Sequence, residues 1–226
     1  MRAIIKKEVK NYFLSPIGYI FIGLFLAMCS LFFFLDVYEL GSVSLGNMFY
    51  SGATILTFII PILTMRMFAE EKKNGTEQLL MTSPTSITSI VLGKFISAVI
   101  IVVIAEVCTF MYFAILCFFG QPHLQTMIVT ILGFLLLSIA YISFGMLASS
   151  ITENQIIAAV LTIGFFIMTW FLPNINSALS TLSLINMFDK FPSGLIALEE
   201  IVTYLSFTIM CVLLTLIIMQ RKKSVK

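Results

Sequence analysis

Few residues in this chain are of a type and spacing that could do chemistry. The single histidine, His123, follows Pro122 in a short turn, and one histidine cannot build a metal site unaided. Cys29, Cys108, Cys117 and Cys211 all fall inside apolar runs with no CxxC pair, so they read as small packing residues rather than disulfide partners or metal ligands. Leu92-Gly93-Lys94-Phe95 has the Gly-Lys pair of a phosphate loop but lacks its first glycine and its Ser/Thr. There is no HExxH and no GxSxG. Asp36 and Asp189 fall on the side expected to face outward, where an intramembrane aspartyl dyad is not expected. An enzyme in its own right is therefore not expected, nor a metal or a cofactor held by this chain. Glu106 stands apart, a lone carboxylate inside an apolar run with no Lys or Arg at comparable depth. Such an acid is a functional candidate by default. It is expected to be neutral and bonded to a Ser, Thr or Tyr, or to face a watery cavity. Two roles stay open for it: substrate or proton passage, and helix packing.

The other concentration of polar chemistry is Arg66 to Pro84, RMFAEEKKNGTEQLLMTSP. Of 24 charged residues, six sit here: Arg66, Glu70, Glu71, Lys72, Lys73 and Glu77. An oily chain keeps charge where water or a partner protein meets it. Asn74-Gly75 is a helix-stop signal, since both residues tolerate positive φ. Thr76 and Glu77 suit the start of a short helix whose apolar side is Leu79, Leu80 and Met81. Ser83 suits the cap of the next helix, with Pro84 at its first position. The segment reads as a short, stiff docking element for a soluble partner, or as an interfacial turn. A smaller polar turn, Ser149 to Gln155, includes Thr152, Glu153 and Asn154 and could touch the same partner.

These segments need long apolar helices to position them. The chain is 60% hydrophobic and 11% charged, with a mean hydropathy of +1.08. A soluble domain is about a quarter charged. Ile17–Leu35 and Ile201–Met219 are uncharged runs of spanning length, and residues 107–152 hold no Asp, Glu, Lys or Arg. Six spans are expected, at 17–38, 48–68, 91–119, 125–149, 154–172 and 200–220. The first is read as uncleaved, its apolar run being too long for a signal peptide. The second should kink at Pro61 and carry its helix on through Lys73. The third is longer than a bilayer needs, so it tilts or projects. Ahead of them, residues 1–15 place Ile5, Val9, Tyr12 and Phe13 on one face and Lys6, Lys7 and Lys10 off it, as in an amphipathic interfacial helix. Ser15-Pro16 ends it.

With six spans, twelve of the thirteen Lys and Arg residues fall on one side and only Lys190 on the other. The positive-inside rule then places both termini and the 69–90 loop in the cytoplasm. Residues 173–199 form the longest outer segment, read as one or two short helices dipping into the outer interface or as an ordinary loop.

On these residues the chain resembles the permease subunits of ABC-2 type transporters, most closely the gliding-motility-associated group. The carriers are KKEVKNYFLSPIGYIFIGLF, FAEEKKNGTEQLLMTSP followed by LGKF, SSITENQIIAAVLT, and FDKFPSGLIALEEIVTYLSFTIMCVLLTLIIMQRKK. The loop pattern is the most specific of them. The resemblance implies an all-α membrane protein with six spans, an N-terminal elbow helix, a coupling helix between spans two and three, a lesser cytoplasmic contact between spans four and five, and short outer-leaflet helices before span six. It implies a bacterial cytoplasmic membrane, a second permease copy or homologue, and two cytosolic ABC ATPase subunits that bind ATP and Mg. Contact with the ATPase is then expected from Glu70, Glu71, Lys72, Gly75, Thr76, Glu77 and Leu80, with Thr152, Glu153 and Asn154. Membrane lipids and an extracellular auxiliary subunit are further expected partners, and nucleic acid is not. An ATP-independent secondary transporter or channel, or a membrane anchor for an extracellular complex, are the alternatives.

Overall fold

The computed structural model describes residues 1–38, 45–82, 85–119, 123–175 and 183–224. Every regular element among them is helical: α1 Arg2–Leu14, α2 Pro16–Tyr38, α3 Gly46–Thr64, α4 Ala69–Lys73, α5 Glu77–Thr82, α6 Ile87–Phe119, α7 Leu124–Ile151, α8 Gln155–Ile175, α9 Leu184–Phe188, a 3-10 turn Phe191–Ser193, and α10 Leu198–Ser224. Six helical segments are long and apolar enough to cross a membrane.

α7 is the hub, in contact with α3, α6, α8, α9, α10 and the 3-10 turn. Its buried face mixes small residues (Gly133, Ala140, Gly145, Ala148, Ser149) with Phe134 and Tyr141. In lipid, apolar side chains gain little by leaving their solvent, so helices associate where small residues let backbones approach. At Gly145 a Cβ would lie 2.2 Å from Thr64 Oγ1, and at Gly133 a Cβ would lie 2.3 Å from the Phe191 ring. The Phe134 ring fills the space beside them, with Phe49 edge-on at 5.4 Å, Phe188 edge-on at 5.9 Å and Phe25 at 5.6 Å.

α1 lies across the bundle end that carries α4 and the start of α6. Ile4, Ile5, Glu8, Val9, Tyr12 and Phe13 are half-buried, while Arg2, Lys6, Lys7 and Lys10 are exposed. The helix packs on α6 at Gly93, where a Cβ would meet Ile4 Cγ2 at 2.8 Å. Ser15 then turns extended (φ −87°, ψ 154°), as the residue before a proline must, and Pro16 opens α2.

α3 continues through Pro61, and Met65 N–H still reaches the Pro61 carbonyl at 2.8 Å. The helix then stops at Thr64, and residues 65–68 turn before α4 begins. The expectation of one helix running through Lys73 is corrected here. The break has a local cause, because a side chain from α7 takes the N–H groups that would otherwise have continued the helix.

At the opposite end, α9 and the 3-10 turn bury Leu184, Ile185, Met187, Phe188 and Phe191. The Tyr204 hydroxyl donates to the Leu184 carbonyl, Thr130 Oγ1 donates to the Phe191 carbonyl at 3.3 Å, and Lys190 pairs with Glu200. Burial lifts the Asp189 carboxyl above the ordinary aspartate range.

Candidate functional site

The charged segment folds from the break after Thr64. Ser149, near the end of α7, accepts the N–H groups of Phe68 and Ala69 on its Oγ, each at 3.0 Å, and donates to the Met65 carbonyl at 3.0 Å. One hydroxyl therefore satisfies three main-chain groups freed by the turn, including N–H groups at the start of α4 that have no partner within the helix. Lys72, on α4, returns the contact. Its ammonium donates to the Ser150 carbonyl and, at 3.2 Å, to the Thr152 carbonyl. A cation at a helix C-terminus satisfies open carbonyls and complements the dipole. The two polar turns, far apart in the chain, form one block.

A second set of bonds joins this block to α1 and α6. Lys94 Nζ lies 2.8 Å from Glu71 Oε1 and 3.4 Å from Glu8 Oε1, with side-chain exposures of 5%, 19% and 15% for Lys94, Glu71 and Glu8. The ammonium also lies 5.5 Å from the centre of the Phe68 ring. α6 has 33 residues and is roughly 50 Å long, against a hydrocarbon core of about 30 Å. The excess length lets it carry a lysine at its start without placing it in lipid. Arg66 and Glu70 pair within the turn, with Arg66 Nε donating to Oε2 at 2.7 Å. Tyr12 reaches the same region from α1, its hydroxyl donating to the Leu63 carbonyl at 3.4 Å. Burial first, then the Glu8 carboxylate, hold its phenol well above the usual tyrosine range, so it stays neutral.

The expected contact residues thus divide. Glu71 bonds Lys94 and Lys72 bonds the Ser150 and Thr152 carbonyls, whereas Glu70 pairs with Arg66 within the turn and keeps 33% of its side chain exposed. Gly75 takes φ +71° with nothing near its missing Cβ, so it is there for the turn. Thr76 Oγ1 donates back to the Glu71 carbonyl at 3.3 Å. Glu77 opens α5 and is half-buried. The Leu80 side chain, with those of Leu79 and Met81, lies outside the described residues, as do Ser83 and Pro84. Thr152 Oγ1 donates to the Asn154 carbonyl at 3.2 Å, and Asn154 Oδ1 accepts the Ile156 N–H at 2.9 Å at the start of α8. Glu153 is exposed. The outward face of the block is therefore Lys73, Asn74, Gly75, Thr76 and Gln78 beside Glu153 and Asn154.

Glu106 lies far along α6 from this block, 3% exposed. The expected hydroxyl partner is not found for its Oε1, which is buried without a hydrogen bond. Cys108 and Cys117 face out of the bundle rather than packing within it, whereas Cys29 and Cys211 are buried. No cluster of His, Cys, Asp or Glu suited to a metal occurs among the described residues.

The sequence places Tyr12 on the apolar stripe of α1, Lys94 in a Gly-Lys pair and Ser149 at the start of the smaller polar turn, but it does not show that they and Glu8 meet at this block. The signal for Glu8 was present, since it is an acid set within the apolar stripe of α1. Lys94 read as one more loop base. The bonds of Ser149 to the turn after α3 exist only once α3 and α7 are side by side, so its place in the polar turn did not disclose them.

No curated protein matches the chain. The family described as ABC-2 family transporter protein matches residues 2–225. That match covers the hub helix, the six spanning helices and the block at their charged end, and the chain belongs to the ABC-2 family of transporter membrane proteins.

Proposed function

We propose that this chain is the permease subunit of an ATP-driven exporter and that its charged end is the cytoplasmic docking face for a separate ATPase, which binds ATP and Mg. Two copies, or this chain and a homologue, would enclose the cargo path. The observation that carries this reading is the union of the two polar turns through Ser149 and Lys72. A partner pressing on the exposed face of Lys73, Asn74 and Glu153 would load α3 and α7 together, and α1 and α6 through Lys94. A floppy loop would absorb that displacement.

The test is co-purification with the cognate ATPase. Reversing exposed charges with Lys73→Glu and Glu153→Lys should lower ATPase recovery and ATP-driven transport, with the thermal midpoint of the isolated permease unchanged. Full ATPase recovery by the double variant would reject the docking role. Ion- or proton-driven uptake by the purified chain alone would favour a secondary transporter instead.

A further inference from the structure

α1 carries its uncovered charge in a row. Arg2, Lys6 and Lys10 stand four residues apart, so they share one edge of the helix, spread over about 12 Å of its length. All three are exposed, and none has an ion pair among the described residues. The helix holds one acid, Glu8, and its carboxylate is turned away to Lys94 at 3.4 Å. Lys7 lies on another side, lining a cavity between α1 and the turn after α3. The edge therefore carries three cations and no carboxylate of α1 to balance them.

The surroundings of the edge are apolar and uncovered. Phe13 falls on the same edge, one turn beyond Lys10, and its ring meets Tyr19 of α2 edge-on at 5.6 Å. Tyr19 is 61% exposed and Leu14 73%. Only Ser15 separates α1 from α2, which is long and apolar enough to cross a membrane. The uncovered face of α2 continues through exposed Ile20, Leu24, Met28 and Leu31. The basic edge thus leads onto the apolar face of a spanning helix, at the depth where headgroups lie.

An amphipathic helix at that depth binds through buried apolar area and through attraction to anionic lipid. We infer that the Arg2–Lys6–Lys10 edge is a binding surface for anionic phospholipid headgroups, of the phosphatidylglycerol type, in the leaflet that α1 meets. The phosphates would pair with the three bases, and the acyl chains would run along α2 past Tyr19. Charge selects this class, because a zwitterionic head brings a cation of its own to an edge that already has three. An acidic protein surface would balance the charge but leave Leu14 and Tyr19 without apolar cover. Bound lipid would hold α1 against α6 whatever docks on the charged block.

The test is native mass spectrometry of the full chain in detergent, after exchange with equal amounts of phosphatidylglycerol and phosphatidylcholine of the same acyl chains. The unaltered chain should retain phosphatidylglycerol in excess at low salt. The excess should collapse at about 1 M salt, where charge is screened within ~3 Å. Arg2→Gln, Lys6→Gln and Lys10→Gln should each cut the ratio by up to about fivefold, and the triple variant should bring it toward one. Lys73→Gln removes an exposed base from the charged block and should leave the ratio intact. Equal retention of the two lipids by the unaltered chain overturns the proposal, as does an excess that survives high salt. A loss from Lys73→Gln as large as those on α1 also overturns it, since net charge alone would then attract the lipid. An unchanged ratio in the folded triple variant overturns it too; lost ATPase recovery would then give the edge to an acidic face of the ATPase, and a lost dimer mass to a second copy. Displacement of bound phosphatidylglycerol by millimolar glycerol phosphate would assign the edge to free anions and overturn the lipid assignment.

Discussion

Lys94 Nζ and Glu71 Oε1 stand 2.8 Å apart, one at the start of a long helix and the other on a five-residue helix beyond a break. The same ammonium holds Glu8 of α1 at 3.4 Å, so one nearly buried cation ties three elements to each other. Removing it leaves two carboxylates facing one another with little water. Lys94→Met should lower stability by about 2 kcal/mol, less than the 3–5 of a fully buried pair because both acids keep some solvent. The triple change Glu8→Gln, Glu71→Gln, Lys94→Met should recover most of the loss. Thermal unfolding in detergent measures both. Additive losses would show that the three groups do not interact.

Ser149 gives a sharper local prediction. Ser149→Ala leaves the buried N–H groups of Phe68 and Ala69 and the Met65 carbonyl without their partner. At about 1–3 kcal/mol for each unsatisfied group, partly relieved by relaxation, a loss of about 2–4 kcal/mol is expected. Amide exchange at Phe68 and Ala69 should rise far more than exchange within α7. Uniform changes across the molecule would indicate a general packing defect instead.

The contrast between these residues explains what the sequence could and could not disclose. Apolar run length is a property of the chain alone, so the six long helices and the stop at Gly75 were readable. The amphipathic stripe of α1 was readable too, since it repeats at helical spacing. Where Glu71 and Lys72 find their partners was not, because Lys94 and the Ser150 and Thr152 carbonyls arrive from other helices. Charge in an oily chain marks the region but not which of its side chains bond to other helices and which lie on the surface.

The approach of α3 to α7 should be intolerant of a single methyl group. Gly145→Ala places a Cβ 2.2 Å from Thr64 Oγ1 and 2.8 Å from Thr64 Cβ, and Thr64 is fully buried. Overpacking of this kind costs about 1–3 kcal/mol. Adding Thr64→Ala should recover part of that, since it removes the nearer atom and not the Cβ. A full recovery, or none, in the unfolding midpoint would place the strain elsewhere.

Gly75 differs, because nothing crowds it and only its backbone matters. Gly75→Ala should cost about 1–2 kcal/mol, with Gly75→Asn milder, since asparagine tolerates the left-handed region better. The cost should fall on the turn, as faster exchange in α4 and α5, while the spanning helices keep their protection. Equal effects of Ala and Asn would mean that φ is not what the glycine supplies.

Glu106 is the last polar group whose purpose can be separated by substitution. It is enclosed in α6, with Oε1 lacking any donor. If it only packs helices, an apolar side chain of similar volume is better there, because burying a polar group without a partner is unfavourable by about 1–3 kcal/mol. Glu106→Leu should therefore raise the unfolding midpoint. Glu106→Gln keeps the shape and removes the ionisable proton. Transport that survives both changes assigns Glu106 to packing alone. A gain in stability for Glu106→Leu together with lost transport in both variants would show that the chain retains an unfavourable carboxyl group for function, since a packing role predicts that transport survives the gain.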